Sequence, residues 1–330
     1  MKVDSFLRPT WPAPPSWVAL CALLFLGSGL VPTARAANSI YPEPLELVAF
    51  GGPTTVVSLD VNEDGLLDLA VNGPELQRIT LFFGTGTGGF ASEVRIDTTP
   101  REAADMITFD VDRDGLPDIV WVDGLRGDVV TFYQVPGATG DVFRREVVPG
   151  VESATSLAAV DRDGDGWTDV VAAERGSDEI VWYRNDAGTL VLDERLRAGD
   201  GPREIRVLRD PVAPPRLALL QDGFLSRDVT VYALDDEVPG ARWPVDVPRG
   251  LIVGDLQDDG ADEIVVTDAT GSVVVLEAGA GGLTSRAAFP IRPESPWALP
   301  VSISTTGERI LVAETERGRL NLFQDGGSGF

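Results

Sequence analysis

Four stretches of the chain set oxygen-bearing side chains at one spacing: Asp60, Asn62, Asp64 and Asp68; Asp110, Asp112, Asp114 and Asp118; Asp161, Asp163, Asp165 and Asp169; and, more loosely, Asp255, Gln257, Asp259 and Glu263. Counted from the first aspartate of each, the oxygens stand at positions one, three, five and nine, with glycine at position six (Gly65, Gly115, Gly166, Gly260). Glycine lets the chain double back so that the oxygens converge, and the backbone carbonyl of position seven (Leu66, Leu116, Trp167, Ala261) can join them. Hard oxygen ligands in this number suit calcium, whereas magnesium demands a smaller octahedron and keeps more of its water. Carboxylates gathered this closely without a cation would repel one another. Four occurrences in one register also exceed what the turn-capping habit of aspartate accounts for. Gln257 and Glu263 are each one methylene longer than the residues they replace, so three good calcium sites and a weaker fourth are expected.

A helix–loop–helix calcium loop needs a bidentate glutamate at position twelve; here that position holds Val71, Trp121, Ala172 and Val266. Instead, each position-nine residue runs straight into an apolar stretch (Leu69-Ala-Val, Ile119-Val-Trp, Val170-Val-Ala, Ile264-Val-Val), and another precedes each loop, as in Val56-Val-Ser-Leu59. Each loop is thus expected to join two strands of a β-hairpin. The first three loops recur about every 50 residues, and the longer gap to Asp255 has room for a hidden repeat. Its strands are expected at Ile205–Leu208 and Leu217–Leu220, joined by a turn from Asp210 to Arg216 that has lost its ligands. A sixth hairpin, Val301–Ser304 with Ile310–Ala313, carries no cage. A third strand follows every hairpin (from Ile79, Val129, Ile180, Val229, Val273 and Leu320), and in several repeats a polar fourth strand such as Ser92–Ile96 comes next.

Four antiparallel strands repeated six times predict an all-β fold: a six-bladed β-propeller of four-stranded blades. Leu322–Phe330 aligns without a gap on Phe82–Phe90, after which the earlier repeat has its outer strand; the apolar Pro44–Phe50 is therefore expected to complete the last blade and close the ring. The calcium loops, the Ile180-Val-Trp-Tyr-Arg-Asn185 strand with its Asp-Ala-Gly, and Phe83-Gly84 resemble the FG-GAP/VCBS repeats of integrin-α-like propellers, over essentially everything after residue 43. That resemblance implies calcium at the cage positions of repeats one, two, three and five, and not at repeats four and six.

Residues 1–36 read differently: Lys2 and Arg8, an apolar core from Trp17 to Val31, then Ala34-Arg-Ala36. This is the pattern of a secretory signal peptide, with 37–43 a short linker and 44–330 the propeller. Cleavage would take the formal net charge from −25 to −27, remove Cys21, the one cysteine, and leave no membrane span. Disulfides could not staple such a domain, so calcium would be its cross-link in an extracellular or periplasmic space. The acidity argues against nucleic acid, and the absence of histidine removes the usual neutral-pH base and zinc ligand. Arg126-Gly-Asp128 spells an adhesion tripeptide of the kind that arises by chance in such compositions; Trp121, Trp167, Trp182, Trp243 and Trp297 suit gaps between blades better than sugar stacking. Away from the cages, Asp123, Glu174, Asp268 and Glu314 at second-strand ends, with Arg101, Arg203 and Arg249 after prolines, form a candidate ligand face. The function expected is a secreted, monomeric, calcium-binding, non-catalytic module that binds an extracellular protein or glycan, adhesion-like in character. A lectin and a polysaccharide-acting enzyme such as a lyase are the alternatives.

Overall fold

The computed structural model describes residues 55–290 and 300–324, apart from 74–77, 88, 98–102, 124–126, 138–141, 151–152, 237, 280, 306–308 and 315–318. The leader, the linker and the Pro44–Phe50 segment expected to close the ring lie outside the described residues. No helix occurs among the described residues, hence none long and apolar enough to cross a membrane.

The strands form antiparallel sheets in chain order. The first sheet is β1 (Thr55–Leu59), β2 (Asp68–Gly73), β3 (Arg78–Gly84) and β4 (Phe90–Asp97), and the second β5 (Ala103–Phe109), β6 (Asp118–Asp123), β7 (Val129–Gln134) and β8 (Phe143–Val148). The third is β9 (Ala154–Val160), β10 (Asp169–Glu174), β11 (Glu179–Asn185) and β12 (Leu190–Arg197). The fourth is β13 (Pro202–Asp210), β14 (Ala213–Asp222), β15 (Arg227–Ala233) and β16 (Ala241–Pro244), and the fifth β17 (Pro248–Gly254), β18 (Glu263–Asp268), β19 (Ser272–Gly279) and β20 (Gly282–Pro290). A sixth sheet has three described strands, β21 (Pro300–Thr305), β22 (Arg309–Glu314) and β23 (Arg319–Gln324). The first strands of successive sheets adjoin in sequence, from β1 through β5, β9, β13 and β17 to β21.

Second strands are unbroken apolar runs because both of their faces are covered. In β10, Val170 and Ala172 point into the core between the second and third sheets, while Val171 and Ala173 point into the core between the third and fourth. The period-two alternation of a strand thus feeds two cores rather than one core and solvent. Trp121, in the core between the first and second sheets, and Trp182, in that between the third and fourth, are each 1% exposed, the first edge-on to Phe132 at 5.8 Å. Trp243 packs on the core between the fourth and fifth sheets, and Trp297 lies outside the described residues. Outer strands read the opposite way: along β12, four consecutive residues from Leu192 to Arg195 are exposed.

One element departs from the sequence expectation. The turn expected from Asp210 to Arg216 is a tight hairpin at Pro211–Val212, and β14 begins at Ala213, pairing Asp210 with Ala213 and Leu208 with Arg216. Without ligands to gather, the backbone continues its ladder where the other sheets open into loops. The extended hairpin then leans on the fifth sheet's loop: Asp262 Oδ2 accepts the Arg209 N–H at 2.7 Å, and the Asp262 N–H donates to the Arg209 carbonyl at 2.9 Å.

Candidate metal centre

The four aspartate-rich loops join the first two strands of sheets one, two, three and five, so they share one end of the fold. Their backbones follow one path. Position six is left-handed in all four, at Gly65, Gly115, Gly166 and Gly260, and so is position four, at Glu63, Arg113, Gly164 and Asp258. The position-one carboxylate accepts the position-six N–H at 2.7–3.0 Å. The position-five carboxylate accepts the position-seven N–H at 2.7–2.9 Å. The position-nine carboxylate accepts the position-two N–H at 2.8–3.0 Å.

Position nine does more than close its own loop. In the first three loops its second oxygen accepts the N–H of the residue sixteen further on, Gly84, Gln134 or Asn185, at 2.7–2.8 Å. Asp68, Asp118 and Asp169 therefore tie each loop to the end of its sheet's third strand, while the lone pairs left on each oxygen stay available to a cation. Gly84 is required by this closeness in the first sheet, because a Cβ there would sit 2.3 Å from the Leu67 carbonyl oxygen.

Carboxylate oxygens of Asp110, Asp112 and Asp114 lie within 4.8 Å of one another, and so do those of Asp161, Asp163 and Asp169. Both groups could hold a metal ion. The second loop gives the most direct test of fit: Asp110 Oδ1 and Asp112 Oδ1 are buried and accept no hydrogen bond. Buried carboxylate oxygens without donors are costly, and a cation among them would relieve that cost. Burial pushes the carboxyls of Asp68, Asp112, Asp118, Asp169 and Glu263 above the usual carboxylate range, Asp118 to about 6, and like charges of the same loop add to the push.

The fifth sheet's loop differs in the way its side chains pair. Gln257 donates its amide to one Glu263 oxygen while the other accepts the Leu256 N–H, so two expected ligands engage each other. The first loop shows a milder version, in which the Asn62 amide donates to Asp64 at 3.0 Å.

Neighbouring sheets latch these loops through residues that spacing within the loop does not reveal. Gln134 donates its amide to the carbonyls of Asp60 and Val61 at 3.2 and 3.0 Å, and Asn185 donates to the Val111 carbonyl at 2.9 Å. The end of one third strand therefore grips the preceding sheet's loop. Position four reaches the same way: Glu63 accepts the Gly137 N–H at 2.9 Å, and Arg113 donates to the Gly166 carbonyl with its guanidinium 4.0 Å from the Trp167 ring centre. Arg162, at position two of the third loop, stacks on Trp182 and bonds Glu194 at 2.6 Å and Asp235 at 2.7 Å, joining the third and fourth sheets. The constant offset of sixteen from position nine is the signal in the sequence that points to Gln134 and Asn185.

At the opposite end the expected ligand-face residues have structural engagements. Asp123 and Glu174 are interior, 0% and 2% exposed, and Glu174 pairs with Arg195 at 2.9 Å. Asp268 closes its own turn on the N–H groups of Thr270 and Ser272 at 2.8 and 3.0 Å. Arg203 reaches across to the Pro248 carbonyl at 3.1 Å, next to Arg249 in the following sheet. Glu314 ends β22 in register with Pro300, while Arg101 lies outside the described residues. Of the adhesion-like tripeptide, Gly127 is buried, Asp128 half-buried and Arg126 outside the described residues.

With this geometry in hand, the sequence match is informative. Residues 60–121 match the FG-GAP-like repeat. That span runs from position one of the first loop through the third residue after Asp118, so it includes the first two aspartate-rich loops complete. Among solved structures, the chain is similar to Kuenenia stuttgartiensis hydrazine synthase, at 13% identity, with a TM-score of 0.58 over 86% of this chain and 80% of that one. It is also similar to BBS1N crystallised in complex with ARL6DN, at 12% identity, with a TM-score of 0.54 over 86% of this chain and 95% of that one. These neighbours are β-propeller proteins, and the likeness establishes the propeller-like arrangement of the sheets. No curated protein matches the sequence.

Proposed function

We propose that this chain is a secreted, calcium-stabilised, six-bladed propeller that binds a macromolecule and does no chemistry on it. The observation that carries the calcium reading is the pair of buried, donor-less oxygens on Asp110 and Asp112, inside a loop whose backbone is repeated at three other places. The ligands would be the oxygens of positions one, three, five and nine with the position-seven carbonyl, and calcium would supply charge neutralisation and cross-linking of the loop. The latches of Gln134 and Asn185 then transmit loop order from blade to blade. A binding role is supported by the FG-GAP-like repeat and by a structural neighbour crystallised with a protein partner. Burial of Trp121 and Trp182 removes two of the aromatic platforms a lectin would need.

Capture from secreted and cell-surface material, with and without calcium, tests this function. A defined protein or glycan retained only in calcium supports it; turnover of a polysaccharide by the purified protein would establish the enzyme alternative instead.

Ring closure is the second part of the proposal. The sixth sheet shows three strands among the described residues, against four in each of the others, and residues 44–50 would supply the fourth. Deleting 44–50 from protein expressed without export should lower the melting temperature by many degrees, because it opens a sheet edge. Deleting 1–36 should leave it unchanged. Equal melting of the two truncations would rule closure out.

A further inference from the structure

Two interior side chains tie the first three aspartate-rich loops into a series. Gln134 is 3% exposed and is engaged at both ends. Its main-chain N–H is held at 2.8 Å by Asp118, position nine of the second loop, while its side-chain amide holds the Asp60 and Val61 carbonyls of the first. The Asp60–Val61 peptide is thereby bonded on both sides, since its N–H donates to Asp68 at 2.9 Å. Asn185, 1% exposed, repeats the arrangement one sheet on. Asp169 of the third loop holds its N–H at 2.7 Å, and its amide reaches the Val111 carbonyl of the second loop at 2.9 Å.

Each junction has a further tie. At the first, Glu63 of the first loop accepts the Gly137 N–H at 2.9 Å. At the second, Asn185 Oδ1 accepts the Gly188 N–H at 2.8 Å and sets that glycine against the second loop, so that a Cβ on it would lie 3.0 Å from the Asp112 Cβ. Arg113 of the second loop crosses the other way, onto the Gly166 carbonyl and the Trp167 ring of the third. The series then stops. By strand register Leu234 stands in the fourth sheet where Gln134 and Asn185 stand in theirs, and it packs in the core between the third and fourth sheets. A leucine side chain offers no donor to a loop carbonyl. On its fourth-sheet side the fifth sheet's loop meets, through Asp262 and Arg209, a hairpin that has no ligands of its own.

We infer that the first three loops bind calcium as one coupled set, and that the fifth sheet's loop binds independently of them. The inference rests on the calcium reading and adds regulation to it. Asp118, once fixed as a ligand, fixes the Gln134 main chain and through it the amide on the first loop, so Asp60 has less ordering left to lose when it binds in turn. Asp169 acts on the second loop through Asn185 in the same way. The coupling lies in a shared ordering cost. It is reciprocal, so order in the first loop favours the second equally.

The test uses the mature chain and terbium, which takes calcium's oxygen sites and emits when a neighbouring indole is excited. Trp167 stands at position seven of the third loop, so the emission that Trp167→Phe removes reads the filling of that loop. Asp112→Ala with Asp114→Ala disables the second loop, and should raise the third-loop terbium midpoint at least about fivefold. In a chain that also carries Asn185→Leu and Arg113→Ala, disabling the second loop should no longer move it. With Trp167→Phe, an indole added by Leu66→Trp or by Ala261→Trp reads the first or the fifth sheet's loop. The first-loop midpoint should shift when the second is disabled, and Gln134→Leu with Glu63→Ala should cancel the shift; the fifth-sheet midpoint should stay fixed. Hydrogen exchange at the Gln134 N–H should slow on calcium addition in wild type, and less so with the second loop disabled. A third-loop midpoint indifferent to the second loop, a shift that survives loss of the ties, or an equal shift in the fifth sheet overturns the coupling and leaves the calcium reading standing. A wild type without Trp167-dependent emission that calcium displaces would overturn both.

Discussion

Withdrawal of calcium should lower the melting temperature of the mature protein by several degrees, and magnesium should not restore it. At a free concentration of one to ten times a site's dissociation constant, each site contributes about 0.4–1.4 kcal/mol, so three good sites contribute on the order of 1–4 kcal/mol. At roughly 2–4 degrees per kcal/mol for a chain somewhat shorter than this one, that is easily measured. Metal analysis should find three ions per chain, with a fourth only at higher calcium, because Gln257 and Glu263 must release each other first. The pH dependence of calcium-free protein gives an independent check. The carboxyls of Asp68, Asp112, Asp118, Asp169 and Glu263 are all raised, Asp118 from 3.8 to about 6, so the folded state takes up protons before the unfolded chain does. Stability should therefore rise as pH falls from about 6 toward 4. In calcium the trend should reverse, since protons displace the ion. A melting temperature indifferent to chelator, or a calcium-free protein that weakens steadily below pH 6, would refute the cage reading.

How far the sequence reaches is clearest in the loops themselves. Asp110-Val-Asp-Arg-Asp-Gly115 announces converging oxygens because side-chain chemistry and the glycine at the left-handed position are both local facts. Period-two apolar runs announce strands, and runs apolar at every residue, such as Val170–Ala173, announce sheets covered on both faces. What local pattern cannot supply is the choice of partner across sheets. Gln134 and Asn185 look like ordinary polar strand ends until packing against the preceding sheet brings a loop carbonyl to about 3 Å. The interior position of Asp123 and Glu174 is likewise a matter of packing. For Ala213–Arg216, two prolines read as a turn, yet the absence of ligands let the ladder run on to Asp210. In the first two cases a long-range contact decided between options that the local residues left equal, and in the third the missing ligands did.

Position nine carries the largest single-residue effect expected. Asp118 is fully buried, and its two oxygens accept the N–H of Val111 and of Gln134, both at 2.8 Å. Asp118→Ala would leave two buried backbone donors without acceptors, at roughly 1–3 kcal/mol each. It would also remove the tie between the loop and β7 and disturb the Gln134 latch on the preceding loop. A loss of about 2–6 kcal/mol is expected, and most of it should persist in calcium-free buffer. Asp114→Ala is the contrast. Asp114 is exposed and accepts the Leu116 N–H within its own loop, so its loss should weaken calcium binding and matter little once calcium is gone. Asp118→Asn keeps one acceptor oxygen but turns an NH₂ toward the other N–H, so it should fall between wild type and Asp118→Ala. Unfolding by urea with and without calcium separates these outcomes. If Asp118→Ala and Asp114→Ala lose the same stability, and lose it only in calcium, then position nine is a ligand alone and the tie to the third strand holds nothing together.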